Sequence, residues 1–327
     1  MEKKVAILMA SYNGENYIEK QINSIIDQTY QDWELFIRDD GSIDSTVQII
    51  ENFVARDQRI HLIKSDSDYH GAFVNFHYLI NSMKDAPLFD YYYYCDQDDI
   101  WMKNKIEMMN SSFNKEGIPE LIYSDMAIID GNDNIIVPSN NADRSIELPN
   151  NKQLYFTHSY IWGCAVAFNQ ELFELVPKVN INSDIKIINI LSHDNYYAKF
   201  ALEYGKVTYL NRPLIKYRRH FNNVSVISKA KVGLKDIIKM ALTDYLKIVK
   251  LHANGYIQTL YMIRIAREIG LENNKLNDIE KVIRSGGWKA VSYLIKNRIK
   301  KNQPSKTFIF YLIFLTGIYK KYLIIKD

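Results

Sequence analysis

Asp96-Gln97-Asp98-Asp99 sets three carboxylates within four residues, directly after the run Tyr91-Tyr92-Tyr93-Tyr94-Cys95. Acids this close resist ionising together unless a cation or hydrogen-bond donors compensate. Their hard oxygens suit Mg²⁺ or Mn²⁺ carried with substrate phosphates. An acidic surface turn is the bland alternative. The apolar strand before the acids and Ile100-Trp101 after them favour a site. Two further polar clusters interrupt apolar runs nearby: Ser11-Tyr12-Asn13-Gly14-Glu15 and Asp39-Asp40-Gly41-Ser42. Farther along come His193-Asp194 and the basic group Arg218-Arg219-His220.

The elements that must position these groups follow from the apolar pattern. Val5 to Ala10 is a continuous apolar run, as in a strand covered on both faces. The span from Glu15 to Thr29 carries Tyr17, Ile18, Ile22, Ile25 and Ile26 at nearly helical period. Trp33 to Ile37 is a second strand, followed by a helix over Thr46 to Ala55 that Asp44 or Ser45 can cap. Ile60 to Ile63 is a third strand, Phe73 to Met83 a helix, and the tyrosine run a fourth strand. Alternation of this kind predicts a mostly parallel sheet with helices on both faces. In such sheets ligands bind beyond the carboxyl ends of the strands, and three of those ends carry the polar clusters. Lys103 to Phe113 reads as a helix, Leu121–Asp125 with Ala127–Asp130 as strands, and Ile161 to Phe168 as a buried strand. Asn132 to Asn151 is polar and loop-like. Ser192-His193-Asp194 opens a helix running to Tyr204, which Gly205 stops before a strand at Val207–Leu210.

With 327 residues, 47% hydrophobic and 24% charged, the chain can bury a sizeable core. Cys95 and Cys164 lie in apolar stretches, so a disulfide framework is not expected, in keeping with a reducing compartment. Met1-Glu2-Lys3-Lys4 leads straight into a short strand, with no signal-peptide pattern, and the expectation is a cytoplasmic protein. The net charge of +3 conceals a division: residues 226–327 hold 20 Lys and Arg against 7 Asp and Glu, leaving 21 against 31 in residues 1–225. The expected domains are therefore 1–225 and a basic, apolar helical region, 226–327.

Taken in order, Val5–Gly14, Asp39-Asp40-Gly41-Ser42-x-Asp44, Asp96-Gln97-Asp98-Asp99, His193-Asp194 and Tyr217-Arg218-Arg219-His220-x-x-Asn223-x-Ser225 resemble family 2 glycosyltransferases of the GT-A fold. The likeness covers about residues 4–226, and the Asp-Gln-Asp-Asp-Ile-Trp form is similar to bacterial rhamnosyltransferase-like enzymes of surface polysaccharide synthesis. The resemblance implies an inverting, metal-dependent transfer from a UDP- or dTDP-sugar to a glycan or lipid-linked acceptor, with Mn²⁺ or Mg²⁺ as cofactor. By the same resemblance Ser11, Tyr12 and Glu15 hold base and ribose, or else serve only as turn and helix-start residues, and Asp39 accepts from the N3–H of a uracil or thymine ring. Asp40 joins the substrate-binding residues or else only caps the turn. Asp96 is the ribose- or metal-side acid, Asp98 the direct metal ligand, and Asp99 either a further acid or a helix cap. Asp194 is the general base, or else a simple helix cap, with His193 orienting it or contacting acceptor. Arg218 or Arg219 holds the diphosphate through forked donors, one of them being equally well a solvated surface residue. His220 reaches the metal or a phosphate oxygen. Asn75 and Trp162 line sugar or acceptor, or serve only the core.

No G-x-G-x-x-G or P-loop occurs, which argues against dinucleotide or P-loop chemistry. A sugar nucleotidyltransferase would need a glycine- and Arg/Lys-rich triphosphate loop after the first strand, and Ser11–Gly14 is a poor one. A non-catalytic nucleotide-sugar-binding partner subunit is the alternative from another class. In the basic region, the apolar stretch Thr307 to Tyr319 falls short of the ~20 residues that span a bilayer. Lysines flanking it fit an anionic membrane surface, with packing on the catalytic domain or another subunit (a homo-oligomer) as the competing reading. Its basic residues are interleaved with an apolar helical pattern, which disfavours nucleic acid.

Overall fold

The computed structural model describes residues 3–63, 69–114, 117–140, 152–156, 161–182, 185–219, 245–301 and 303–325. The chain forms two compact units. The first comprises residues 1–145, 161–189 and 200–226, and the second residues 146–160, 190–199 and 227–327. The second thus takes in two short segments from within the span expected as a single N-terminal domain.

The first unit opens with β1 (Val5–Ser11), α1 (Ile18–Ile26), β2 (Trp33–Asp39), α2 (Thr46–Val54), β3 (Ile60–Ile63), α3 (Ala72–Met83) and β4 (Tyr91–Asp96). After β4 come β5 (Ile100–Trp101), α4 (Lys105–Asn110), β6 (Glu120–Ile129), β7 (Ile135–Val137), β8 (Val166–Asn169), α5 (Gln170–Leu175), α6 (Ile185–Ile188), α7 (His193–Tyr204) and β9 (Lys206–Arg218). The sheet runs β3-β2-β1-β4-β8-β6-β9-β5, with β7 paired to β6. The first four strands are parallel, as expected for buried apolar strands joined by helices. Beyond β4 the sheet is mixed: β8 is antiparallel to both β4 and β6, β6 is parallel to β9, and β5 is antiparallel to β9.

Only residues 97–99 separate β4 from β5, although β5 lies at the far edge of the sheet. Four Cα steps reach at most roughly 14 Å. The sheet therefore curls until β9 and β5 approach the carboxyl end of β4, and the acidic turn closes that gap. Both faces of β4 are covered. Tyr92 stacks on Phe173 at 4.0 Å between ring centroids, and Tyr94 meets Phe76 edge-on at 5.5 Å. On the opposite face Tyr93 lies 5.8 Å from Trp101 and donates its hydroxyl to Asn110 Oδ1 at 2.7 Å.

Two local expectations resolve differently. The expected pair of strands around residues 121–130 is one strand, β6, whose register with β9 shifts at Ser124/Asp125 and Asp125/Ala127, where the break was anticipated. The expected strand from Ile161 to Phe168 is a 3₁₀ turn at Gly163–Ala165 followed by the shorter β8. Complete burial of both pieces gives them the same apolar signature.

The described part of the second unit is helical: α8 (Tyr245–Glu268), α9 (Asn274–Ser285), α10 (Gly287–Lys296) and α11 (Pro304–Thr316). Pro304 begins α11, and Gly317, at φ 62°, ends it in the left-handed region. The rings of Tyr256, Phe314 and Tyr319 lie within 4.9–5.1 Å of one another and form its aromatic core. No helix among the described residues is long and apolar enough to cross a membrane.

Gly205, between α7 and β9, has no room for a side chain: a Cβ there would lie 1.8 Å from the Pro119 carbonyl oxygen, which accepts from Lys206 N. Gly205→Ala is expected to lower stability by about 1–3 kcal/mol, read as a shifted denaturant midpoint.

Candidate active site

The parallel register brings the polar clusters together. Ser11 pairs with Asp39 across β1 and β2, and Ala10 pairs with Asp96 across β1 and β4. Side chains distant in sequence thus share one sheet edge.

Asp39 organises the first part of that edge. Its Oδ1 accepts from the amides of Gly41 (3.1 Å) and Ser42 (2.7 Å), and its Oδ2 from the hydroxyls of Ser11 (2.8 Å) and Ser42 (2.6 Å). These bonds use all four acceptor positions of a carboxylate. A ring N–H could therefore be recognised only by replacing one of those donors. Asp40 is buried and ties β2 to α3: its Oδ2 accepts from Gly71 N at 2.7 Å, and Arg38 Nη1 lies 3.3 Å from its Oδ1. Arg38 also donates to Asn75 Oδ1 at 2.7 Å, and Asn75 Nδ2 donates to the Ser11 carbonyl at 3.1 Å. Asn75 is accordingly a 2% exposed structural residue. Glu15 accepts from Ser45 N at 3.0 Å and so holds the start of α2.

Tyr12 is 53% exposed, whereas Ser11 is buried. Its backbone N–H and C=O both pair with the Gln97 side chain, at 2.9 and 2.8 Å, clipping the β1 exit to the acidic turn. This clip explains Gly14, where a Cβ would meet Gln97 Oε1 at 2.2 Å. Gln97 is a site-building residue that the sequence reading did not single out. Its position between two acids was the available signal.

Within the turn Asp96 and Asp98 are half-buried, whereas Asp99 is fully enclosed. Ligating atoms of Asp96, Asp99 and Cys164 lie within 4.8 Å of one another. Burial, then the charges of Asp98 and Asp96, push the Asp99 carboxyl well above the usual range. Its Oδ1 accepts from Arg218 N at 2.9 Å, and its Oδ2 has no hydrogen-bond partner among the described residues. Clustered carboxylates with an orphaned buried oxygen fit a hard divalent cation. The acid grouped with Asp96 is Asp99, where Asp98 was expected. Below the turn Lys105 is fully buried, donates to the Cys164 carbonyl at 2.7 Å and lies 3.6 Å from the Trp101 ring centroid. Burial lowers its ammonium to about 8.

Arg218 departs most from expectation. It is fully buried, and its Nε donates to the Asp98 carbonyl at 2.8 Å. Its Nη1 donates to the Asp130 carbonyl at 3.1 Å and to Asp133, while the guanidinium lies 4.6 Å from the Tyr17 ring. This fork anchors the acidic turn to the β6–β7 turn and is not presented to a diphosphate. Arg219 is half-buried, and its N–H donates to the Ile129 carbonyl at 2.9 Å. Trp162 is half-buried, 6.1 Å from the Tyr217 ring. His220 lies outside the described residues.

His193 and Asp194 belong to the second unit. Asp194 is half-buried in the first turn of α7, and its Oδ1 accepts from Asn195 N at 2.6 Å. His193 is buried, which pushes its imidazole down to about 3. It is thus neutral near pH 7.

Residues 6–176 match the family described as Glycosyl transferase family 2. The dTDP-rhamnosyl transferase RfbG of Shigella flexneri is 32% identical over 272 residues, covering 78% of this chain and 91% of that one. The UDP-Glc:alpha-D-GlcNAc-diphosphoundecaprenol beta-1,3-glucosyltransferase WfgD of Escherichia coli is 34% identical over 128 residues, covering 39% and 47%. Among solved structures, the mannosyltransferase PcManGT from Pyrobaculum calidifontis, in complex with GDP-Man and Mn²⁺, aligns with a TM-score of 0.51 at 13% identity, covering 100% of this chain and 89% of that one. Staphylococcus aureus TarS aligns with the same score and identity, covering 87% and 56%. At such identity the two structures speak for the fold.

Arg218→Met is expected to cost about 3 kcal/mol or more, because it strands buried carbonyls and a carboxylate. Arg218→Lys should recover little of this in a urea titration, since one ammonium cannot serve the fork's directions. For His193, the unfolded chain protonates near the ordinary 6.5 and the folded one near 3, so the cost of keeping it neutral grows as pH falls between those values. At pH 5 that cost is about 2 kcal/mol. His193→Gln should flatten the stability-versus-pH slope between pH 7 and 5.

Proposed function

The chain belongs to glycosyl transferase family 2, and from that membership we propose that this glycosyltransferase moves a hexose or deoxyhexose from a UDP- or dTDP-sugar onto a lipid-linked glycan in bacterial surface polysaccharide synthesis. The observation that carries the reading is the strand register that sets Ser11, Asp39 and Asp96 at one sheet edge. Two relatives bear names with pyrimidine-nucleotide sugars, dTDP-rhamnose in one and UDP-Glc in the other.

Ser11, Tyr12 and Asp39 frame the base and ribose, with Asp40 and Glu15 bracing the surrounding turns. Asp96 and Asp98 are assigned to a divalent cation, Mn²⁺ or Mg²⁺, with Asp99 enclosed beneath them. When bound, that ion would neutralise charge developing on the leaving diphosphate. Arg219 takes the diphosphate role that the buried fork of Arg218 does not fill, and His220 is assigned beside it. Asp194 takes the acceptor hydroxyl proton, and single displacement at the anomeric carbon inverts its configuration. Neutral His193, next to Asp194 at the start of α7, orients it or contacts the acceptor.

Thermal melting with UDP, dTDP and GDP, with and without Mn²⁺, tests the donor side. The pyrimidine nucleotides should raise the melting temperature with metal, and Asp98→Ala should abolish the metal-dependent part. Asp194→Asn should keep that shift while lowering kcat by about a hundredfold or more. A wild-type protein indifferent to every nucleotide would remove the basis of the reading.

A further inference from the structure

Residues 286–325 contain eight Lys and Arg and no Asp or Glu. In the preceding helices Glu268 pairs with Arg264 at 3.7 Å, and Glu280 with Arg267 at 2.7 Å and with Arg284 at 2.9 Å. The cations of α10, α11 and their flanks therefore have no carboxylate within their own segment. Lys289, Lys296, Arg298, Lys300, Lys320 and Lys321 are all exposed.

The same two helices expose large apolar side chains. In α10 these are Trp288, 69% exposed, and Ile295, 53% exposed. In α11 they are Phe308, 63% exposed, and Leu315, 45% exposed. Each pair is separated by seven residues, so each forms a stripe along one helix face. The opposite faces supply the unit's core through Ala290 and Leu294 in α10 and Phe310, Ile313 and Phe314 in α11, while Val291 is buried alongside the α10 stripe. The exposed stripes are therefore additional to the core.

We propose that the exposed faces of α10 and α11 form a docking surface for an anionic lipid bilayer, with Trp288, Ile295, Phe308 and Leu315 entering the headgroup–acyl boundary and the flanking lysines meeting lipid phosphates. An indole suits that boundary, having an apolar body and one polar N–H. Lysine stems can lie along apolar surface while their ammonium groups reach water or phosphate. Apolar stripes bordered by lysine match a helix lying in the interface, and attraction to anionic headgroups grows with each cation. A second copy of this chain is disfavoured as occupant, because a self-complementary contact would face cations with cations. The surface is independent of the donor reading: a chain that bound no nucleotide would still partition onto lipid.

The test is sedimentation of the full-length protein with sucrose-loaded vesicles. One set is pure phosphatidylcholine, and the other contains about one-third phosphatidylglycerol. Partitioning onto the anionic vesicles should be at least about tenfold stronger and should weaken as salt rises. Lys289→Glu/Lys296→Glu/Lys321→Glu and Trp288→Ser/Phe308→Ser should each reduce it about tenfold or more with unchanged melting temperature. Brominated acyl chains should quench part of the wild-type tryptophan emission, and Trp288→Phe should remove that part. Equal binding to both vesicle types would overturn the proposal, as would binding that both variants retain. So would a dimer, in sedimentation without lipid, that the same variants dissociate.

Discussion

The buried Arg218 guanidinium is the interaction on which the donor edge depends. Its directed donors reach the Asp98 carbonyl, the Asp130 carbonyl and Asp133, while its own backbone N–H supports Asp99. Three acids in four residues would otherwise drive their turn apart. A buried cation bonded to the turn's backbone holds the acids in place. Lysine could supply the charge but not the fork.

The neighbouring turns are built by the same means. Gln97 imitates a strand partner for Tyr12, Asp39 gathers two hydroxyls and two amides, and Asp40 with Arg38 and Asn75 pins β2 to α3. The region is thus organised by side chains satisfying one another. Each such residue resembles a ligand-binding group in sequence, and several of them are walls. Asp40, Glu15 and Arg218 are such supports.

The second unit follows a different logic. Its core is aromatic, with Tyr256, Phe314 and Tyr319 at close ring separations, and arginines of α8 and α9 pair with Glu268, Glu272 and Glu280. Residues 286–325, with α10, α11 and their flanks, carry eight Lys and Arg and no acid of their own. Composition alone announced a basic region. It did not show that the charge and the surplus apolar residues share two packed helices.

The apolar runs from Val5, Trp33 and Tyr91, with turn residues after each, were sufficient to specify parallel strands whose carboxyl ends meet. Strand period and burial are local properties, so that half of the fold and the neighbourhood of Ser11, Asp39 and Asp96 could be read from the chain. The antiparallel insertion of β8 could not, because a fully buried 3₁₀ turn and a buried strand present the same apolar residues. Nor could the role of Arg218, whose partners lie more than 80 residues away in sequence. Sequence determined which residues could carry charge and where strands would end. Tertiary structure decided which charges are enclosed as supports and which face outward, because desolvation and hydrogen-bond saturation depend on neighbours brought together by the curl of the sheet.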